Sequence, residues 1–240
     1  MTEADWLAAT DSGPMAVFLR RATSDRKMRL FACACCRSLW PVFTDPRRRS
    51  IEVAEQSADG LIDRRELSAA HAQADSTGSL EALAQIASYR VARIAAENAA
   101  LESWAVHAAL AAAGSRVQLW IGDPADQQPC LGPCGTPECA EYRQRAADLL
   151  RCVFGSPYRP APAVDLAWLA WNGGTAQRLA EFAYAKRTLP EGTLDAARLA
   201  LVADALEDAG CTDAELLSHL RGPGPHVRGC WALDLVLSKS

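Results

Sequence analysis

Between Leu80 and Ala113 the chain runs for 34 residues without a glycine or proline. At 1.5 Å per residue that predicts a helix of roughly 50 Å, and everything else must pack around it. Small and aliphatic residues recur every seventh position on one face, at Leu80, Ala87, Ile94, Leu101 and Ala108, with Ala84, Val91, Asn98, Ala105 and Ala112 beside them. Such a seam suits close helix–helix packing, here within the domain in preference to a dimer. No stretch alternates apolar and polar residues with period two, so no sheet is expected. The class predicted is all-α: a multi-helix globular domain around one long Ala-rich helix, with a smaller C-terminal helical lobe.

Start and stop signals divide the rest. Ser12-Gly-Pro14 opens a run to Leu19, with Pro14 in a first turn where its missing N–H costs nothing. Ser24 caps a run that Pro41 ends. Thr44-Asp45-Pro46 starts a helix that stops at Gly60, and Asp63-Arg-Arg-Glu66 has capping-box spacing. Thr136-Pro137-Glu138 opens a helix to Phe154, ended by Gly155. Pro157, Pro160 and Pro162 make an extended joint, which divides the chain into an N-terminal lobe, 1–155, and a C-terminal lobe, 156–240. Beyond it come a short helix around Trp168 and Trp171, a turn at Asn172-Gly173-Gly174, and a helix from Thr175 to Arg187. A helix capped by Thr193 then ends at Gly210, and Thr212-Asp-Ala-Glu215 opens one that ends near Arg221. In the Gly222-Pro-Gly-Pro225 loop each proline fixes φ and pushes the glycine before it towards extended backbone. Gly222 is expected as a left-handed cap, and Pro225 as the first residue of a last helix that carries His226 and Arg228 in its first turn.

The formal net charge of −4 makes the molecule no general polyanion binder. Arg20, Arg21, Arg26, Lys27, Arg29 and Arg47 to Arg49 give the first fifty residues a basic bias. No aromatics are interleaved with them to stack on bases, so nucleic acid is not the expected partner and a solvated face is. No window approaches eighteen uncharged apolar residues, which argues against a membrane span. The first residues lack the basic and apolar regions of a signal peptide, and nine cysteines then point to a reducing, cytoplasmic setting where thiols serve as core filler, metal ligands or nucleophiles.

The chemistry concentrates in Ala209 to Leu237. Cys211, His219, His226 and Cys230 offer two thiolates and two imidazoles, a donor set that suits a closed structural zinc site, although the spacing follows no standard finger. Cys130, Cys134 and Cys139 around a Gly-Pro-Cys-Gly turn form a second metal candidate. One helix over residues 138–154 would hold Cys139 and Cys152 about 20 Å apart, so Cys152 is not expected to complete that set. A last helix starting at Pro225 would put His226, Cys230 and Asp234 at i, i+4 and i+8, the minimum for thiol-dependent hydrolysis or acyl transfer. No oxyanion donor accompanies that set, and working triads draw their groups from separate elements. Cys33-Ala-Cys-Cys36 lies inside an apolar helical run and is expected to be buried packing. Trp168 and Trp171, with Tyr158 and Tyr184, are core residues or the wall of a peptide groove. With His226 and Arg228 the two tryptophans are the expected partner-binding residues.

Five stretches resemble an uncharacterised paralogous bacterial family of planctomycete type: TEADWLAATDSGPMAVFL, SDRKMRLFACACCRSLW, LLRCVFGSPYRP, LAWLAWNGGTAQRLA and LVADALEDAGCTDAELLSHLRGPGPHVRGCWALDLVL. They cover about two thirds of the chain. Gly173 and Cys152 depart from the pattern, which has Asp and an acidic residue there, and the Cys130–Cys139 loop lies outside it. No activity attaches to that family, so the resemblance implies a self-contained recurring unit. The functional expectation is a non-enzymatic interaction or regulatory module with another protein as partner; no cofactor is assigned, and structural zinc is the one candidate. A cysteine-dependent hydrolase or transferase using Cys230, His226 and Asp234 is the alternative.

Overall fold

A computed structural model describes residues 1–19, 24–38, 40, 43, 45–75, 137–160 and 162–239. Helix accounts for 68% of them and no strand or sheet occurs among them, so the all-α class is correct. The predicted long helix over 80–113 lies outside the described residues, as do Cys130 and Cys134. Cys139 falls in the first turn of a helix, with its side chain not described.

Among the described residues eleven α-helices follow in chain order: α1 (Glu3–Ala8), α2 (Ser12–Leu19), α3 (Asp25–Arg37), α4 (Asp45–Ala58), α5 (Arg64–Asp75), α6 (Pro137–Phe154), α7 (Leu166–Ala170), α8 (Thr175–Ala185), α9 (Ala196–Asp208), α10 (Ala214–Arg221) and α11 (Trp231–Val236). Their ends follow local chemistry. Ser24 accepts the Lys27 N–H at 3.3 Å, and one carboxylate oxygen of Asp63 accepts from Arg65 and Glu66. Two caps differ from the expected ones. Asp195, not Thr193, caps α9, and Asp213, not Thr212, caps α10, each carboxylate accepting the N–H three residues on. Thr193 forms isolated bridges with Thr188 and Val227 instead.

The core follows helical period. Ala146, Leu149, Leu150 and Val153 of α6 are buried at i, i+3, i+4 and i+7, as are Leu199, Val202, Ala203 and Leu206 of α9. Each such leucine or valine gains about 1.5–3 kcal/mol on leaving water. α6 packs on α2 and α3 and meets α11, while α10 packs against α9 and α11. One hydrophobic cluster runs from Trp6 through α3 and α6 to Val236. Cys33, Cys35 and Cys36 are buried in it, as expected of packing residues. Burial pushes the Cys33 and Cys36 thiols well above their usual range, which suits unreactive groups.

The basic residues of α3 are not the solvated face expected of them. Arg37 and Arg187 both clamp Glu55, at 2.5–2.8 Å, and Arg37 also donates to the Pro190 carbonyl at 2.7 Å. Arg26 bridges Asp234 at 2.6 Å and Asp59 at 3.1 Å, and Tyr184 donates to Asp59 at 2.7 Å. Lys27 pairs with Asp234 at 2.8 Å and donates to the carbonyls of Val153 at 3.0 Å and Gly229 at 2.7 Å. It thereby ties the end of α6 to the turn before α11. The carboxylates involved lie beyond the first fifty residues, which is why a local reading of the basic run misses them.

Candidate metal centre

The last helix begins later than predicted, and this decides what the C-terminal cysteine and histidines can do. Gly222 ends α10 in extended backbone (φ −66°, ψ 160°) and is not the left-handed cap expected. Gly224 is the left-handed residue, at φ +88°. A side chain there would put Cβ 2.8 Å from the His226 nitrogen, so glycine is required for the chain to fold back so tightly. Residues 222–230 are non-helical, and α11 starts at Trp231 with Cys230 as its N-cap. His226 therefore sits in a loop, where its carbonyl accepts from Leu194 N–H at 2.8 Å and Val227 bridges to Thr193.

That fold-back gathers four side chains. Cys152 near the end of α6, His219 in the last turn of α10, His226 in the loop and Cys230 at the cap of α11 present ligand atoms that all lie within 4.8 Å of one another. These residues could hold a metal ion. Three of them were expected from sequence. The fourth was not: Cys152 takes the place predicted for Cys211, which is buried in the turn after α9 and is not one of the group. The set thus draws on both sides of the proline joint.

Two sulfurs and two ring nitrogens make a donor set that could hold a metal ion. Four tetrahedral ligands at ordinary Zn–S and Zn–N lengths stand about 3.6 Å apart for a sulfur–nitrogen pair and about 3.8 Å for two sulfurs. His219 Nε2 lies 3.3 Å from Cys230 Sγ, close to that spacing. His226 Nε2 donates to the Gly222 carbonyl at 3.0 Å, which places the ring lone pair on Nδ1. Nδ1 is buried and has no hydrogen-bond partner. An orphaned acceptor in such a site costs free energy that a bound cation would recover. The His219 ring packs edge-on to that of His226, with centroids 5.0 Å apart, and leans on Trp231 at 5.2 Å.

Electrostatics point the same way. Burial alone would raise the Cys230 thiol, but the neighbouring Cys152, His219 and His226 outweigh it and hold it well below its usual range. Cys152 is pushed the other way, first by its hydrogen bond with Cys230 and then by burial. Burial would lower His226, yet Cys230 and the Gly222 carbonyl leave it raised. The two thiols are thus pushed in opposite directions, with the imidazoles easing ionisation at Cys230 and not at Cys152.

The proposed catalytic geometry is not formed. His226, Cys230 and Asp234 do not share a helix face, because α11 begins after Cys230. Asp234 is turned to Arg26 and Lys27. Cys230 is fully buried and lines neither of the two clefts nearby. The first of these, about 390 Å³, has Gly222 to His226, His219, Cys152, Gly155, Trp6 and Trp231 among its lining residues. The second, about 260 Å³, lies across Trp231 and carries Lys27, Arg159, Pro160 and Lys239. Trp168 and Trp171 line neither. Arg228 is directed at Asp59, 3.8 Å away, and stacks on Tyr184 at 5.2 Å, away from His226.

No family model, curated protein or solved structure matches this chain. Among the described residues no helix is long and apolar enough to cross a membrane.

Two predictions arise from the geometry. Cys152→Ala is expected to abolish metal retention, whereas Cys211→Ala keeps it and costs only the packing of a small side chain; metal content of the two purified variants checks the pair. Equal loss in both would mean that the wrong cysteine has been placed in the centre. Gly155 has φ +66°, and a Cβ there would stand 3.1 Å from the Trp231 ring. Gly155→Ala should therefore lower stability by about 2 kcal/mol or more, from left-handed backbone and crowding together. Denaturant unfolding with an unchanged midpoint would contradict it.

Proposed function

We propose that the chain is a non-enzymatic helical interaction or regulatory module whose C-terminal part is fastened by a structural zinc ion. The supporting observation is the convergence of Cys152, His219, His226 and Cys230 from four separate segments onto one point, with His226 Nδ1 left as a buried, unpartnered lone pair. Two thiolates and two imidazoles fill four tetrahedral positions, so the ion has no open position of its own for catalysis. Its role is to clamp the Gly-Pro loop and the cap of α11 onto the end of α6. The cleft beside it, walled by that loop, is where a partner protein would meet the module.

Cobalt titration of the reduced, metal-free chain tests the reading. A single saturable site is expected, with thiolate-to-cobalt charge transfer and the strong visible bands of tetrahedral geometry, all displaced by zinc. Weak octahedral bands, or a titration without an end point, would contradict a closed sulfur–nitrogen site.

A further inference from the structure

We propose that Cys152 and Cys230 form a peroxide-responsive pair whose oxidation to a disulfide expels the metal ion. This rests on the zinc reading above and assigns the centre a regulation. The two cysteines belong to the same group of ligand atoms, within 4.8 Å, although 78 positions separate them in the chain (230 − 152). A disulfide needs its sulfurs at about 2.05 Å, so the approach required is short. Cys152 is two residues from the end of α6, and Cys230 follows Gly229, a left-handed residue at φ +85°.

Access separates the roles. Cys152, 2% exposed, lines the 390 Å³ cleft, whereas the fully buried Cys230 does not. None of Cys33, Cys35, Cys36 and Cys211 lines either cleft. Hydrogen peroxide entering the cleft therefore meets Cys152 first. In the loaded site both sulfurs are thiolates. Cys152 attacks one peroxide oxygen, the O–O bond breaks, and Cys152 sulfenic acid and hydroxide form. Cys230 then attacks the sulfenic sulfur, the S–O bond breaks, and a second hydroxide leaves as the disulfide forms. The two sulfurs together lose two electrons, and one peroxide is reduced to two hydroxides. The zinc ion, left with only His219 and His226, dissociates. The Gly222–His226 wall of the cleft is then released from its clamp, so oxidation changes the surface offered to a partner.

The test uses the full chain loaded with zinc and treated with stoichiometric hydrogen peroxide. A zinc-responsive dye follows release, and peptide mass mapping follows the cysteines. One zinc released per chain, in step with a Cys152–Cys230 disulfide and reversed by dithiothreitol with added zinc, is the expected result. Cys211→Ala should behave as the parent does. In Cys230→Ser, which lacks the resolving thiol, dimedone should label Cys152. Zinc retained while other cysteines oxidise, or release with Cys152 oxidised and Cys230 still a free thiol, overturns the proposal. The metal-free chain treated with diamide is the second arm. A disulfide there in a chain that takes up no zinc would sink the metal reading and the expulsion step while leaving the pairing intact. Its absence in both arms sinks the pairing itself.

Discussion

Glu55→Gln is expected to destabilise the chain by about 3–5 kcal/mol, the cost of leaving buried charge without its partner. At roughly 2–4 °C per kcal/mol for a chain of this size, the melting temperature should fall by about 10 °C. The reason is geometric. Glu55 is buried and accepts four charge-assisted hydrogen bonds, two from Arg37 and two from Arg187. An amide keeps the shape but cannot neutralise two guanidinium groups or accept from both on each side. The same site sets a pH dependence. Burial alone would raise the Glu55 carboxyl, but the hydrogen bonds from Arg37 and Arg187 outweigh it and leave its pKa below the ordinary value of 4.5. Stability from this group is therefore fully present above pH 4.5, where the unfolded chain is ionised too, and is lost as pH falls through the lower folded pKa. Thermal melts of Glu55→Gln and the parent should converge in that acid window. Curves that stay parallel down to it, or a variant as stable as the parent at neutral pH, would contradict the clamp.

Removal of the metal should have an effect of similar size. A ligand that binds only the folded state adds RT ln(1 + [L]/Kd), about 4 kcal/mol when free zinc exceeds Kd a thousandfold. His226→Ala is the informative variant, because it removes the ring whose Nδ1 lacks a partner and leaves the Gly222 carbonyl without a donor. It should lose metal and melt roughly 10 °C below the zinc-loaded parent. Added chelator should lower the parent towards the variant and leave the variant unmoved. A chelator effect of equal size on both would place the metal elsewhere.

Helix boundaries were legible wherever a local signal sets them. Ser12 and Leu19, Ser24, Asp63, and Pro137 to Phe154 with Gly155 after it fall where caps, prolines and glycines put them. The alternatives Thr193 and Thr212 failed because an aspartate one or two positions on competes for the same N–H groups and wins. The Gly-Pro loop was read correctly as a break in helix, but not in direction. Proline at a first helical position is only permitted there, and Pro225 is followed by Gly229, which carries a second left-handed turn before Trp231. His219, His226 and Cys230 were visible as one constellation because they lie within a dozen residues of each other. Cys152 was not, since its approach depends on how α6 packs against α11. Cys211 was chosen in its place by proximity in sequence. The clamps on Glu55, Asp59 and Asp234 were hidden for the same reason, their partners lying from eighteen to more than two hundred positions apart.

The central claim is tested most directly by measuring zinc and accessible thiols together on the full chain purified under reducing conditions with zinc present in the growth medium. One zinc per chain is expected. Under native conditions Cys152 and Cys230 should be shielded from alkylation, and both should become reactive together when a chelator strips the ion. A chain without stoichiometric metal, or one that keeps its metal while Cys152 and Cys230 are alkylated, would contradict the account.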